Sequence, residues 1–217
     1  MARDLLVLSG GHPYDEAAFA ELLGSLSGWR VTHLLHPEAE RLVSEGRADQ
    51  AEGLLFYDMP GYTFADGGVT TLPPGEAFRR AITGRFAAGK GAVAMHHALA
   101  GWAEWPEWAE LLGGRFLYQP GTVRGQPVPD SGYRHDVAYM AEVVCAHPVT
   151  EGLPATFPVT DELYLAEVFG GEFEEDLAAM VGRRGRPMCR PAGGHTGPPL
   201  RRERASRTAG GSDMMGE

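Results

Sequence analysis

The stretch Asp4-Leu5-Leu6-Val7-Leu8-Ser9-Gly10-Gly11 sets four aliphatic residues in a row and closes them with two glycines. A strand with one wet face alternates polar and apolar residues, so an unbroken apolar run reads as a strand covered on both faces. The glycines free the backbone to turn, which predicts a parallel strand opening into a loop, His12-Pro13-Tyr14-Asp15. The pattern repeats outward from there. Ala17, Phe19, Leu22, Leu23 and Leu26 have helical spacing, and Trp29 to Leu35 alternates as a second strand. Glu38 to Ala48 reads as a short helix, and Gly53-Leu54-Leu55-Phe56-Tyr57 as a third strand ending at Asp58. Pro60 to Pro74 reads as a long Gly-rich loop. Glu76 to Ala88 reads as a helix stopped by Gly89-Lys90-Gly91, and Ala92-Val93-Ala94-Met95 as a fourth buried strand that ends in His96-His97. Strands separated by helices of this length predict an α/β class with a mostly parallel sheet and helices on both faces. Ligands of such sheets sit beyond the carboxyl ends of the strands. That rule gathers residues 10–15, 57–58 and 96–97 along one crevice. Further on, Trp102 to Leu112 reads as a short helix ended by Gly113-Gly114, Asp136 to Val144 as a strand, and Phe157 to Val168 as a segment carrying Asp161-Glu162-Leu163-Tyr164.

The chain has 217 residues with 43% apolar and 22% charged side chains, 30 Gly and 16 Pro, the make-up of a loop-rich globular protein. A formal charge of −10 argues against nucleic acid and anionic membranes as partners. Charge is unevenly spread. Residues 1–181 hold 11 basic and 26 acidic side chains, whereas residues 182–217 hold 8 basic and 3 acidic and contain no Ile, Val, Phe, Tyr or Trp. The expected organisation is therefore one domain over 1–181 and a basic, poorly packing tail over 182–217, read as flexible, as an anion-binding arm, or as an altered terminus. Two cysteines, Cys145 and Cys189, cannot build a disulfide framework, and with no apolar leader at the start the expected setting is cytoplasmic. No run is long enough to span a bilayer. Apolar surface on the Trp-rich segment and beyond residue 168 predicts self-association.

His96-His97 is the strongest chemical signal, because two imidazoles at the end of a buried strand are expensive unless both find partners. Adjacent residues point in different directions, so one is expected to face the crevice as base or metal ligand and the other to support the turn. His12, in the first loop, could position a substrate or act as acid, base or ligand. Asp161-Glu162 is a carboxylate pair beside an apolar element, and Glu162 could orient His97, accept a hydroxyl proton or ligate a divalent metal. His147 is balanced between architecture and site. Trp102, Trp105 and Trp108 recur every three residues, a spacing that serves core packing or a wall for a sugar ring. Other chemistries lack their motifs. There is no Gly-x-Ser-x-Gly, no spaced third glycine for a dinucleotide, no phosphate-loop Gly-Lys-Ser/Thr and no compact zinc motif.

The segments Gly11-His-Pro-Tyr14, Phe56-Tyr-Asp58, Gly89-Lys-Gly-Ala-Val-Ala-Met-His-His-Ala98, Trp105-Pro-Glu-Trp-Ala-Glu-Leu-Leu-Gly-Gly-Arg-Phe116, His147-Pro-Val-Thr-Glu-Gly-Leu-Pro154 and Asp161-Glu-Leu-Tyr164 occur in consistent order over residues 4–168. On them the chain resembles the ThuA-like family of trehalose utilisation. The resemblance implies a class I glutamine-amidotransferase-like fold, a flavodoxin-like three-layer α/β/α arrangement around a mostly parallel sheet. It also implies a small sugar of trehalose type, in native or oxidised form, as partner. The amidotransferase thiol is absent, since Met95-His96-His97 stands at the strand end. Gly194-His195-Thr196 matches a motif that the family places after a strand and before a helix, but here Pro198-Pro199 and an Arg-rich segment follow. The expected site has His97, Glu162 and His96 in catalysis and His12, Tyr14, Asp58, Trp102, Tyr164 and His195 around the substrate. Three functions stay open: a sugar-directed enzyme, a non-catalytic sugar-binding or regulatory domain, and an amidotransferase-like hydrolase.

Overall fold

A computed structural model describes residues 2–65, 68–143 and 150–169, and the backbone of Ala179–Met180. The opening run forms β1 (Arg3–Gly10), followed by α1 (Glu16–Ser25), β2 (Trp29–Leu35), α2 (Glu38–Ser44), α3 (Arg47–Gln50) and β3 (Gly53–Asp58). A hairpin of β4 (Tyr62–Ala65) and β5 (Gly68–Thr71) precedes α4 (Glu76–Ala87) and β6 (Val93–Met95). Then come a 3₁₀ turn over His96–Leu99, α5 (Pro106–Leu112), the short strands β7 (Gly114–Arg115), β8 (Gly121–Val123) and β9 (Gln126–Val128), and the long β10 (Tyr133–Glu142) and β11 (Thr156–Tyr164). The last among the described residues are β12 (Glu167–Val168) and β13 (Ala179–Met180).

Among the described residues five strands make one sheet in the order β13-β6-β3-β1-β2, and every pairing in it is parallel. Counted within the sheet alone this is the flavodoxin-like order, which reverses at β1 and β3 and opens a crevice there. Helices cover both faces. Leu5, Val7 and Leu55 pack against Phe19 and Leu23 of α1 on one side. On the other, Leu6, Leu8, Leu54 and Phe56 meet Val43, Phe78, Ile82, Trp108 and Leu112 of α2, α4 and α5. Each such side chain contributes about 1.5–3 kcal/mol of burial. Thus β1, covered on both sides, carries the unbroken apolar run, while edge strand β2 alternates.

Three details fix the loops around the crevice. Asp15 caps α1, its Oδ1 accepting from the Ala18 amide at 2.9 Å, which sets where the first loop ends. Gly11 has φ +83°, and a β-carbon there would sit 2.2 Å from the Met59 carbonyl oxygen, so only glycine lets the loop after β1 press on the exit of β3. Arg85, 1% exposed, donates to the carbonyls of Ala48, Ala51, Glu52 and Gly91, joining α4 to the entries of β3 and β6.

Some expectations are corrected. The reading of Pro60–Pro74 as loop misses the β4–β5 hairpin. Glu38–Ala48 is divided by Gly46, at φ +93°, into α2 and α3. The helix expected from Trp102 begins only at Pro106, because Trp102 itself has φ +49°. Cys145, His147, Cys189, His195 and the segment 182–217 lie outside the described residues.

Candidate active site

His96 and His97 leave β6 through a sharp strand-to-helix turn, with His96 at φ +33°, a left-handed value that a β-carbon makes costly. The backbone elbow on which sheet hydrolases mount a nucleophile is therefore present, and it carries an imidazole. The turn also undoes the alternation of the strand, so the expected division of labour between the two histidines is not what forms. Both reach the same oxygen. His96 Nε2 lies 3.1 Å and His97 Nε2 3.4 Å from Oε2 of Glu162.

Glu162 arrives from β11, outside the parallel sheet. Its partner strand β10 is bulged: pairing passes from Arg134–Leu163 to Val137–Asp161, leaving His135 and Asp136 opposite Glu162, with Asp136 at φ +54°. Bulges re-aim side chains. This one brings His135 Nδ1 to 3.4 Å from the second oxygen, Oε1. Three imidazoles thus surround a carboxylate whose side chain is only 14% exposed.

Burial, reinforced by the His12, His96 and His135 imidazoles, pushes the pKa of His97 down to about 3. The ring is therefore neutral at pH 7 even with a carboxylate beside it, and its buried Nδ1 has no hydrogen-bond partner. Tyr164, 1% exposed at the end of β11, lays its ring 4.1 Å from His96 and 4.2 Å from Phe116. Burial and the Tyr118 hydroxyl, 3.0 Å away, raise its pKa and keep the phenol protonated.

The loop after β1 closes the other side. The His12 ring stacks on His97 at 3.8 Å with only 7° between planes, and its two nitrogens face the carbonyl oxygens of Pro13 and Tyr57, each at 3.0 Å. With both nitrogens turned toward backbone carbonyls, of which a neutral ring can donate to one, His12 packs on the cluster rather than ligating within it. Tyr14 stands 5.4 Å from the His12 ring, and its hydroxyl is 3.0 Å from Ser9 Oγ, which is 2.6 Å from His33 Nε2. Asp58 and Trp102 sit elsewhere, on the opposite face of the sheet. Asp58 is fully buried with Oδ2 2.8 Å from His36 Nε2, and Trp102, 3% exposed, packs its ring against His36 and Phe78. Trp105 and Trp108 are core residues as well.

Donor atoms of His96, His97 and Glu162 all lie within 4.8 Å of one another, and this trio is the metal-competent cluster among the described residues. Two imidazoles and a carboxylate suit zinc, iron or manganese and leave coordination positions open for a ligand. The neutral state of His97 suits the same role. Sequence reasoning did not find His135, His33 or His36. Nothing local marks them, since a bulge and two cross-strand contacts make their positions.

A flavodoxin-like parallel sheet, with an imidazole–carboxylate cluster at its switch point and histidine on the elbow, defines the class of protein. The family model described as ThuA, trehalose utilisation, matches residues 8–176, well over half of the chain, and the chain belongs to that family. The crystal structure of a candidate ThuA-like protein from Parabacteroides merdae ATCC 43184 superposes with a TM-score of 0.56 at 17% identity, a likeness of fold. It covers 77% of this chain and 64% of that one, so this chain spans just under two thirds of its length. No curated protein matches the sequence. No helix among the described residues is long and apolar enough to cross a membrane.

Proposed function

We propose that the protein is a sugar-directed enzyme of the ThuA family, acting on trehalose or a related sugar, oxidised forms included, at the His96–His97–Glu162 cluster. The observation that carries this reading is the convergence of three imidazoles on one shielded carboxylate in the crevice of the sheet. A desolvated neutral imidazole and a left-handed histidine both oppose folding, and groups held in such states gather at working sites. A divalent ion held by His96, His97 and Glu162 would supply a Lewis acid for a sugar oxygen. The remaining work falls to the chain. His135, with a side chain 70% exposed, sits between Oε1 of Glu162 and solvent and carries protons in and out. Tyr164 holds the His96 ring. His12, stacked on His97, and Tyr14 beside it form the rim that meets the sugar, while Asp58 and Trp102 brace the turns that follow β3 and β6. The absent thiol speaks against glutamine hydrolysis.

The test is turnover of trehalose and of its keto derivative by the purified chain, stripped with chelator and reloaded with zinc or manganese. Metal-dependent conversion is expected, and Glu162→Gln should lower kcat by at least about 100-fold with the fold intact. Sugar binding without conversion under every metal would replace this reading with a non-catalytic sugar-binding domain, and no binding at all would remove the sugar.

A further inference from the structure

A second cleft, of about 590 Å³, opens between the β4–β5 hairpin, the start of α5 and the β8–β9 hairpin. Its volume is in the range of small-molecule sites. Arg115 lies in its wall, 4% exposed. One terminal nitrogen, Nη1, donates to the Gly101 carbonyl at 2.8 Å, while the other, Nη2, is buried without a hydrogen-bond partner. A desolvated guanidinium with an idle N–H is costly, and burial indeed lowers its pKa. Glu104 and Gln119 stand in the same wall, both exposed, with Thr71 donating to Glu104 and Gln119 Nε2 donating to the Val69 carbonyl. Two aromatic rings complete it, Tyr62 and Tyr118, 5.4 Å apart.

The charge of the lining selects the ligand. Glu104, Glu107 and Glu110 oppose Arg115 and Arg124, and Arg124 is bound to Glu110 at 2.5 Å, so the wall is net negative and rejects an anion. Aromatic faces beside a carboxylate and an amide suit a neutral ring that is apolar on its faces and hydroxylated around its edge. Tyr118 also ties the cleft to the cluster, its hydroxyl meeting that of Tyr164, which lies against His96. Exposed Phe64 and Tyr133 flank Tyr118 at 5.7 and 6.1 Å, and Tyr133 is 5.3 Å from His135. Ring contacts therefore run unbroken from one site to the other.

We propose that this cleft is a second carbohydrate subsite, in which Tyr62 and Tyr118 pack on a neutral glycosyl ring while the exposed Glu104 and Gln119 bond its hydroxyls and the buried Arg115 holds the wall from behind. From the functional reading it takes only the ligand class, a sugar. The experiment is calorimetric titration of the full chain with trehalose, methyl glucoside and glucuronate. Glu104→Gln and Gln119→Ala, both at exposed positions, should each weaken binding of the neutral sugars several-fold. Arg115→Met, which removes the buried tie to the Gly101 carbonyl and no contact to the sugar, should weaken it by less than either, with circular dichroism to confirm folding. Glucuronate should bind less well than methyl glucoside. Zinc affinity of the His96–His97–Glu162 cluster should be unchanged in all three variants, and Glu162→Gln should leave part of the neutral-sugar binding in place. Unchanged sugar affinity in Glu104→Gln and Gln119→Ala, or a preference for glucuronate, would overturn the subsite. If the cleft variants lose sugar while the wild type shows no turnover, the enzymatic reading falls and the subsite stands.

Discussion

His97 carries the sharpest residue-scale consequence, because its pKa is pushed down to about 3 in the fold against about 6.5 in an unfolded chain. Between those values the unfolded chain binds a proton that the folded one refuses, so stability rises with pH across the window. The contribution of neutral His97 is complete above about pH 6.5 and is lost as the pH falls towards about 3. Urea midpoints of metal-free protein should fall steadily from pH 7.5 to 4.5, and His97→Asn should flatten that slope; parallel slopes would show that the ring is not shielded from protons. Ser9 makes a separate point. It is fully buried and holds the Tyr14 hydroxyl on one side and His33 on the other. Ser9→Ala should destabilise by about 1 kcal/mol. If Tyr14 contacts substrate, the same change should raise KM for the sugar more than it lowers kcat, and a pure kcat effect would contradict that placement.

At the scale of elements, the bulge in β10 decides whether His135 belongs to the cluster. His135→Ala leaves the bulged ladder in place and removes the imidazole that the bulge sets beside Oε1 of Glu162. Metal affinity and turnover should drop while the thermal midpoint shifts little; retained affinity would mean that His135 is a bystander. Arg85 is the complementary case, structural rather than chemical. Arg85→Met leaves four carbonyls without their donor and should cost about 3 kcal/mol, a fall of about 6–12 °C in the midpoint for a domain of this size. These two elements also mark what the sequence discloses. Strands β1 and β3 are covered on both faces, so their apolar runs are legible, and β6 is legible by its run although Val93, 45% exposed, corrects the reading of it as fully buried; with them comes the crevice that holds His12, His96 and His97. Glu162 is legible as a carboxylate beside an apolar element. The β4–β5 hairpin is not, because its strands of four residues are largely exposed and set among Gly and Pro. His135 escapes because its place opposite Glu162 comes from the cross-strand register of β10 and β11, which composition does not show. The shared target of His96 and His97 escapes too, since it depends on a left-handed φ that only Gly would have announced.

Over the whole molecule, the described strands of the sheet precede the change in composition. The five strands that the described residues place in the sheet lie at or before Met180, and the match to the ThuA family ends at residue 176. Beyond that point the charge reverses, with 8 basic against 3 acidic side chains over 182–217, and the β-branched apolar and aromatic residues that build cores stop. We expect the segment 198–217 to add little to stability, since it holds a single Leu and no Ile, Val or aromatic residue with which to bury surface. A chain ending at residue 197 keeps Gly194-His195-Thr196 and should melt within about 2 °C of the full chain, less than about 1 kcal/mol. Adding trehalose to both then separates two roles of the tail. Equal ligand-induced shifts in the two proteins, both abolished or reduced by His195→Ala, would assign the Gly-His-Thr segment to the crevice rim and leave the Arg-rich end without a part in binding. A fall of more than about 5 °C on truncation, above about 1 kcal/mol at this size, would show that residues 198–217 pack on the domain and that the lack of core-forming side chains is a poor guide to this tail.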